Sequence, residues 1–214
     1  MERKKAYISE NTKILVPESR YNYDEDKRLL IPYTDWEGIG FMDHEGDVVL
    51  KPKFVMYYGD CYCNTDLVMV AVNHTFGFSK SSGNVSTYLR TLYGLINYKG
   101  ETIIPTEYFS MLRGFDDKEI YTVQNMNYQY GVINKNGNII IPFGRYSWID
   151  GFDHGLARVN KHVDDKSIKE VWGIINLLGE EILPLEYDEI WNFYGKNINK
   201  TRIVKGNNSS LFTI

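Results

Sequence analysis

One stretch in the middle of the chain, residues 130–142, decides the fold, and it reads Tyr130-Gly131-Val132-Ile133-Asn134-Lys135-Asn136-Gly137-Asn138-Ile139-Ile140-Ile141-Pro142. The apolar pair after the aromatic–glycine pair suits a pleated strand. The Asn-x-x-Gly segment supplies a turn whose last residue takes a positive φ. A second apolar run forms the return strand, and we expect proline, which has no N–H to donate, to end it. The stretch therefore predicts a short β-hairpin.

The same pattern recurs along the chain, and the second glycine lies six residues after the first in every copy. The paired glycines are Gly40 and Gly46, Gly94 and Gly100, Gly131 and Gly137, and Gly173 and Gly179. A proline follows each pair, at Pro52, Pro105, Pro142 and Pro184. After a connecting loop, a third apolar segment such as residues 155–159 leads to the next copy. One such unit cannot bury its apolar face alone, so we predict that neighbouring units stack to form the core.

We therefore predict an all-β fold, a tandem array of about five three-stranded antiparallel units. An open curved solenoid is favoured, with closure into a propeller-like ring as the alternative. The array is expected to form a single domain over residues 1–214. Its repeats are expected at about residues 5–32, 39–72, 93–124, 130–160 and 172–205, with a partial strand at 210–214. Residues 73–92 are expected to form either an inserted hairpin, which we favour, or a degenerate repeat.

Composition narrows the possible function classes. The chain has 214 residues and a formal net charge of −4, which argues against nucleic-acid binding because phosphate contacts need clustered Lys and Arg. Residues 1–10 lack an apolar region long enough for a signal peptide, and no segment approaches the length of a membrane span. Two cysteines, Cys61 and Cys63, are not a disulfide framework. We expect a cytoplasmic protein.

Catalytic and metal-binding motifs have little support in this sequence. The turns at 43–47 and 134–138 superficially resemble calcium loops, but turn chemistry explains their Asn and Gly residues without a metal. Cys61 and Cys63 offer too few ligands for a zinc site. The sequence has no nucleophile elbow and no phosphate-binding glycine loop. We therefore expect no enzyme activity, no cofactor and no metal.

Aromatic side chains cluster after the prolines, copy after copy. One ring per copy (Phe54, Tyr108, Tyr146 or Tyr187) is expected to fill the core between units. The others, with neighbouring acidic residues, are expected to form an exposed binding surface, because Tyr and Trp often anchor protein interfaces. The predicted binding residues are Tyr57, Tyr58, Asp60, Tyr62, Phe115, Asp116, Trp148, Asp153, Trp191, Phe193 and Tyr194.

The repeated pattern resembles the WG-repeat family of bacterial tandem-repeat proteins. The resemblance rests on Trp172-Gly173, Tyr93-Gly94 and Tyr130-Gly131, on the Asn/Asp-x-x-Gly turns, and on the segment Phe152-Asp153-His154-Gly155-Leu156-Ala157-Arg158-Val159. One copy keeps the tryptophan of the family's name, and the first copy has Ile39 there. The resemblance implies a β-rich repeat domain that acts as a binding module, and it carries over no catalytic residues.

For function, we predict a non-catalytic protein-binding repeat module. An immunity or inhibitor protein that binds a basic partner is the specific form that the acidic charge favours. The first alternative is a carbohydrate-binding module that uses Trp148, Trp191 and the tyrosines as stacking platforms. The second is a hydrolase, which would need a histidine and a carboxylate converging in one pocket.

Overall fold

The computed structural model describes residues 11–15, 30–43, 45–58, 67–79, 85–114, 119–163, 169–193 and 199–214. These residues form antiparallel β-sheets and contain no α-helix, which confirms the predicted all-β class. No helix in this part of the chain could therefore cross a membrane. The chain divides into two compact units, residues 1–107 and 108–214.

The first unit contains two four-stranded sheets, each with its strands in chain order. The first sheet consists of β1 (Lys13–Ile14), β2 (Ile31–Asp35), β3 (Gly38–Met42) and β4 (Val48–Phe54). The second sheet consists of β5 (Met56–Tyr58), β6 (Leu67–Ser79), β7 (Val85–Asn97) and β8 (Thr102–Tyr108), whose last residue reaches the unit boundary. The core between these sheets is built from Leu30, Phe41, Phe54, Val68, Val70 and Ile96.

The second unit contains three sheets with the same strand order. The third sheet consists of β9 (Ser110–Arg113), β10 (Ile120–Gln124), β11 (Tyr130–Asn134) and β12 (Ile139–Ile141). The fourth consists of β13 (Trp148–Ile149), β14 (Leu156–His162), β15 (Glu170–Asn176) and β16 (Glu181–Tyr187). The fifth consists of β17 (Glu189–Ile190), β18 (Lys200–Lys205) and β19 (Asn208–Thr213). Apolar side chains such as Val132, Phe152 and Ile175 fill the core of the third and fourth sheets, and Phe193 and Ile203 that of the fourth and fifth.

The strand register repeats from sheet to sheet. In each sheet, one row of three paired residues runs across the first three strands. The rows are Ile14, Tyr33 and Gly40; Tyr57, Val70 and Gly94; Met111, Val123 and Gly131; Ile149, Val159 and Gly173; and Ile190, Ile203 and Ser210. The first glycine of every copy therefore occupies one structural position, and Ser210 occupies it in the fifth sheet.

The prediction of three-stranded units is wrong in one respect, because part of the connecting segment after each proline is a strand. It forms a short first strand, β5, β9, β13 or β17, which pairs with the strand that follows it. Each sheet from the second to the fourth therefore combines the end of one sequence copy with the beginning of the next. These short strands were missed because two to four residues are too few to show an alternating pattern.

The prediction that proline ends the return strand is also wrong in three copies. Strands β4, β8 and β16 continue past Pro52, Pro105 and Pro184, and only β12 ends before its proline, Pro142. Each of the three is the outermost strand of its sheet, which is where a sheet tolerates proline. In β4 the proline lies in a bulge, since residues 51–53 face Gly40 alone.

The close approach of the return strand explains the first glycine of the pattern in three copies, Gly40, Gly94 and Gly173. A Cβ atom added to Gly94 would lie 2.5 Å from the Ile104 carbonyl oxygen, and one on Gly173 would lie 2.8 Å from the Leu183 carbonyl oxygen. Both distances are shorter than real Cβ contacts, so only glycine allows the return strand to approach. Gly40 has the same backbone approach, with a Cβ atom 2.6 Å from the Leu50 carbonyl oxygen, whereas a Cβ atom on Gly131 would meet the Phe143 ring at 2.8 Å.

Residues 73–79 and 85–92 continue β6 and β7 as one paired hairpin and do not form a separate unit. Its pairing extends from Leu67 opposite Asn97 to Ser79 opposite Val85. One face carries Phe76 stacked on Tyr88, with ring centroids 5.5 Å apart, and the Arg90 guanidinium 5.6 Å from the Tyr88 ring.

Candidate functional site

The predicted binding residues that the structure describes are divided between the two units. Asp60, Tyr62, Phe115, Asp116 and Tyr194 lie outside the described residues. The first unit contains Tyr57 and Tyr58, and the second contains Trp148, Asp153, Trp191 and Phe193. Only the second group includes aromatic residues that the structure brings near one pocket.

In the first unit, Tyr57 and Tyr58 point to different environments. Tyr57 is half-buried and packs edge-to-face on Phe41, with ring centroids 6.0 Å apart. Tyr58 is 42% exposed and lies 6.2 Å from the ring of Tyr93. Burial, and then the neighbouring Tyr58 hydroxyl, raise the pKa of Tyr93. Tyr57 therefore supports the core, and Tyr58 belongs to the surface.

The prediction that Asp153 and Phe193 are exposed is wrong. Phe193 is fully buried against Ile203. Asp153 is 3% exposed, and its carboxylate accepts the N–H of His154 at 3.1 Å. His154 and Gly155 have φ values of 52° and 72°, so Asp-His-Gly forms a tight turn in which the acidic residue has a structural role. Neither residue therefore belongs to the predicted acidic aromatic surface.

Arg158 on β14 is held in what we call the arginine clamp, formed with Trp148, Asp150 and Trp172. Its Nε and Nη2 atoms donate to Asp150 Oδ2 at 3.0 and 2.7 Å, and Nη1 donates to the Ile190 carbonyl at 2.8 Å. The guanidinium lies 5.6 Å from the Trp148 ring and 5.5 Å from the Trp172 ring. Burial raises the pKa of Asp150, although Arg158 and a backbone N–H act to lower it. The clamp connects the fourth sheet to the first strand of the fifth.

Beside the arginine clamp lies a shallow, open pocket of about 360 Å³, which we call the indole pocket. It is lined by Arg158, Trp172, Glu189, Ile190, Trp191 and Asn192. Trp191 is 49% exposed, and the guanidinium of Arg202 lies 5.0 Å from its ring. The pocket therefore combines two indoles with a carboxylate, a guanidinium and an amide.

A second exposed aromatic, Trp36, lies in the first unit at the hairpin between β2 and β3. The Trp36 turn, residues 35–38, leaves this indole 82% exposed between Asp35 and Glu37. Asp35 Oδ1 accepts the Glu37 N–H at 2.7 Å, and the Thr34 hydroxyl donates to the Gly38 carbonyl at 2.8 Å. Sequence reasoning missed Trp36 because it falls between two copies, although the Asp-x-x-Gly spacing around it could have indicated a turn.

Carboxylates also gather at the Asx–Gly turn of the first copy. Asp43, Glu45 and Asp47 place ligand atoms within 4.8 Å of one another. Asp43 Oδ1 accepts the backbone N–H groups of Glu45 and Asp47, both at 2.9 Å, and these bonds account for its position. We therefore assign no metal to this turn.

Two described histidines lie near carboxylates, but neither lines the indole pocket. His154 Nε2 is 3.9 Å from Asp153 Oδ1, and His162 Nε2 is 3.9 Å from Glu170 Oε1. Both distances exceed a hydrogen bond. The pocket lining combines Glu189 with Arg158, so its chemistry suits polar binding.

Three segments of the chain, residues 93–125, 130–162 and 172–208, match the family described as WG containing repeat. They follow one another over more than half of the chain and coincide with three of the predicted copies. The chain is therefore a member of the WG-repeat family, as the resemblance predicted.

No curated protein sequence matches this chain. Among solved structures, one titled "Crystal structure of the eukaryotic initiation factor" is similar over 86% of this chain, with 7% sequence identity and a TM-score of 0.46. The chain spans 50% of the length of that structure. At this identity and TM-score the similarity carries no argument about function.

Proposed function

We propose that this chain is a non-catalytic protein-binding module that recognises a basic partner, with an immunity or inhibitor protein as its specific form. The observation that carries the proposal is the Trp36 turn, which presents a largely exposed indole between two carboxylates. Tryptophan is among the residues most enriched at energetic hot spots of protein interfaces.

The Trp36 turn is held in place by the sheet behind it. Asp35 pairs with Gly38 at the end of the β2–β3 ladder. A Cβ atom on Gly38, whose φ is +136°, would lie 2.7 Å from the Phe54 carbonyl oxygen, so the turn packs closely on β4. A rigid turn loses little conformational entropy on binding, which favours affinity.

A basic partner suits the charges of this turn. Asp35 and Glu37 flank the indole, and an Arg or Lys placed over the ring would gain a cation–π contact together with carboxylate attraction. The net charge of −4 also favours the approach of a basic protein.

Cross-linking in the host cell can identify the partner. A photo-reactive phenylalanine analogue at position 36 is expected to capture a basic protein, and the same analogue at Leu178, which is 73% exposed in an Asx–Gly turn, is the matched control. With the purified partner, calorimetry is expected to show that Trp36→Ala weakens binding by about 30-fold, or about 2 kcal/mol.

Charge is tested separately. The double variant Asp35→Asn, Glu37→Gln is expected to slow association and to reduce its dependence on salt, because rim charges act mainly on the association rate. Capture of an acidic partner, or equal affinity for wild type and Trp36→Ala, would contradict the proposal.

A further inference from the structure

The charges around the indole pocket restrict the class of ligand that it can take. A second cation is disfavoured, because the Trp191 ring already has Arg202 at 5.0 Å and the Trp172 ring has Arg158 at 5.5 Å. An anion is disfavoured as well, because Glu189 lines the pocket and Arg158 is already paired with Asp150 at 2.7 Å. The electrostatics therefore favour a neutral ligand.

The lining also indicates the shape and polarity of the ligand. Trp172 and Trp191 offer flat apolar surfaces, which suit a ring with one apolar face. Glu189 accepts hydrogen bonds, Arg158 donates them, and Asn192 does both. A purely apolar ligand would leave these groups desolvated without partners. A ring that carries hydroxyl groups at its rim and C–H groups on its face satisfies both requirements.

The wall of the pocket is preorganised. The Thr201 hydroxyl donates to the Trp191 carbonyl at 2.6 Å, and the backbone N–H of Trp191 donates to the Arg202 carbonyl at 3.0 Å. The adjacent Ile190 carbonyl accepts from Arg158 at 2.8 Å. A backbone that is fixed in this way loses less conformational entropy when a ligand binds.

We propose that the indole pocket is a binding site for a neutral saccharide, with a sugar ring stacked on Trp191 and its hydroxyl groups bonded to Glu189, Arg158 and Asn192. The volume of about 360 Å³ lies at the small end of ligand sites and suits one or two sugar rings. This site lies in the second unit and does not depend on the Trp36 turn, so either proposal can fail alone.

Nuclear magnetic resonance of the full chain tests the site directly, because each of the four tryptophans gives one indole N–H signal. The probes are the neutral methyl glycosides of glucose, galactose, mannose and N-acetylglucosamine. At least one is expected to shift the Trp191 signal in a saturable way, and the Trp36 signal is expected to stay unchanged. No saturable shift at Trp191 with any of the four would overturn the proposal.

The preference of the indole pocket for a neutral ligand can be tested with charged analogues. Glucuronic acid and glucosamine place an anion or a cation on the same ring, and both are expected to bind about tenfold more weakly than the neutral glucoside. The same comparison uses galactose or mannose analogues if one of those sugars binds better. A charged analogue that binds as tightly as the neutral sugar would overturn the assignment.

Variants localise the binding. Trp191→Ala is expected to weaken saccharide affinity by about tenfold or more, and Glu189→Gln by a smaller factor. Trp36→Ala is the matched control, since it removes an exposed indole elsewhere, and it is expected to leave affinity unchanged. Equal losses in both tryptophan variants would contradict the site. If a neutral glycopeptide binds more tightly than the free sugar, the natural ligand is the saccharide of a glycoprotein.

Discussion

The two turns at the ends of β11 have the same hydrogen-bond pattern and differ at their left-handed position. In the turn before the strand, Asn125 Oδ1 accepts the N–H groups of Asn127 and Gln129 at 2.9 and 3.0 Å. In the turn after it, Asn134 Oδ1 accepts those of Asn136 and Asn138 at 2.9 and 3.0 Å. The left-handed position is Gly137 in the second turn, with φ +81°, and Tyr128 in the first, with φ 61°.

Tyr128 is a strained choice for this position. A left-handed backbone costs a non-glycine residue about 1–2 kcal/mol, and the ring is 54% exposed. Stacking on Phe109, with ring centroids 5.0 Å apart, offsets part of this cost. The turn that repeats in the sequence, residues 134–138, therefore has glycine where the backbone is left-handed. The turn at residues 125–129 has an exposed tyrosine there, at the expense of stability. Trp36 occupies the equivalent turn in the first sheet.

The largest effect is expected where a residue of the repeat touches backbone. Gly94→Ala is expected to lower the free energy of unfolding by about 3 kcal/mol, because the new Cβ meets the return strand. Gly206→Ala, in the turn between β18 and β19, is the control: its Cβ meets nothing within 4 Å and its φ is +59°. It is expected to cost about 1 kcal/mol. Equal losses of unfolding free energy in urea denaturation would show that the close approach of the return strand does not restrict Gly94.

The arginine clamp should give a loss of similar size. Arg158→Met leaves the Asp150 carboxylate, which is 7% exposed, without its partner, and is expected to cost about 3 kcal/mol. Lys205→Met breaks the exposed contact with Glu186 and is expected to change little. Similar losses in the two variants would show that Arg158 acts as a surface charge.

The same variant has a pH signature. Burial holds the pKa of Asp150 in the folded chain above its value in the unfolded chain, so protonation of this carboxyl favours the folded state. The free energy of unfolding that it contributes therefore falls as the pH rises through the folded-state pKa. Arg158 lowers this pKa, so Arg158→Met is expected to raise it further. The free energy of unfolding, measured at acidic and at neutral pH, should therefore fall more between the two in the variant than in wild type.

An exchange of the two left-handed residues sharpens the comparison directly. Gly137→Tyr is expected to destabilise by about 1.5 kcal/mol, and Tyr128→Gly to stabilise by about 0.5–1 kcal/mol. Thermal unfolding of both variants measures the pair. Destabilisation by Tyr128→Gly would mean that the contact with Phe109 outweighs the strain.

The smallest effect is expected at the Trp36 turn. Trp36→Ala removes a side chain that is 82% exposed, and its unfolding free energy is expected to stay within about 0.5 kcal/mol of wild type. A loss well above this value would show that the indole supports the fold, and it would weaken the proposed role in binding.

The sequence predicted the all-β class and the hairpin turns, because both depend on residues near one another in the chain. It could not predict the bulge at proline, since the bulge depends on which residues of β4 face Gly40. The arginine clamp was missed for the same reason, because Arg158, Asp150 and Ile190 meet only after the sheets pack. The binding residues were predicted from local composition, which did not separate buried Phe193 from exposed Trp191.

Ser210 restricts which strand can pair with the outer edge of β19. It stands in the row position that glycine occupies in the other four sheets, next to Ile203. At Gly40, Gly94 and Gly173, a Cβ atom would lie 2.6, 2.5 and 2.8 Å from a carbonyl oxygen of the return strand. A strand that approached β19 through the same proline bulge would therefore meet the serine side chain, and such close pairing requires Ser210→Gly.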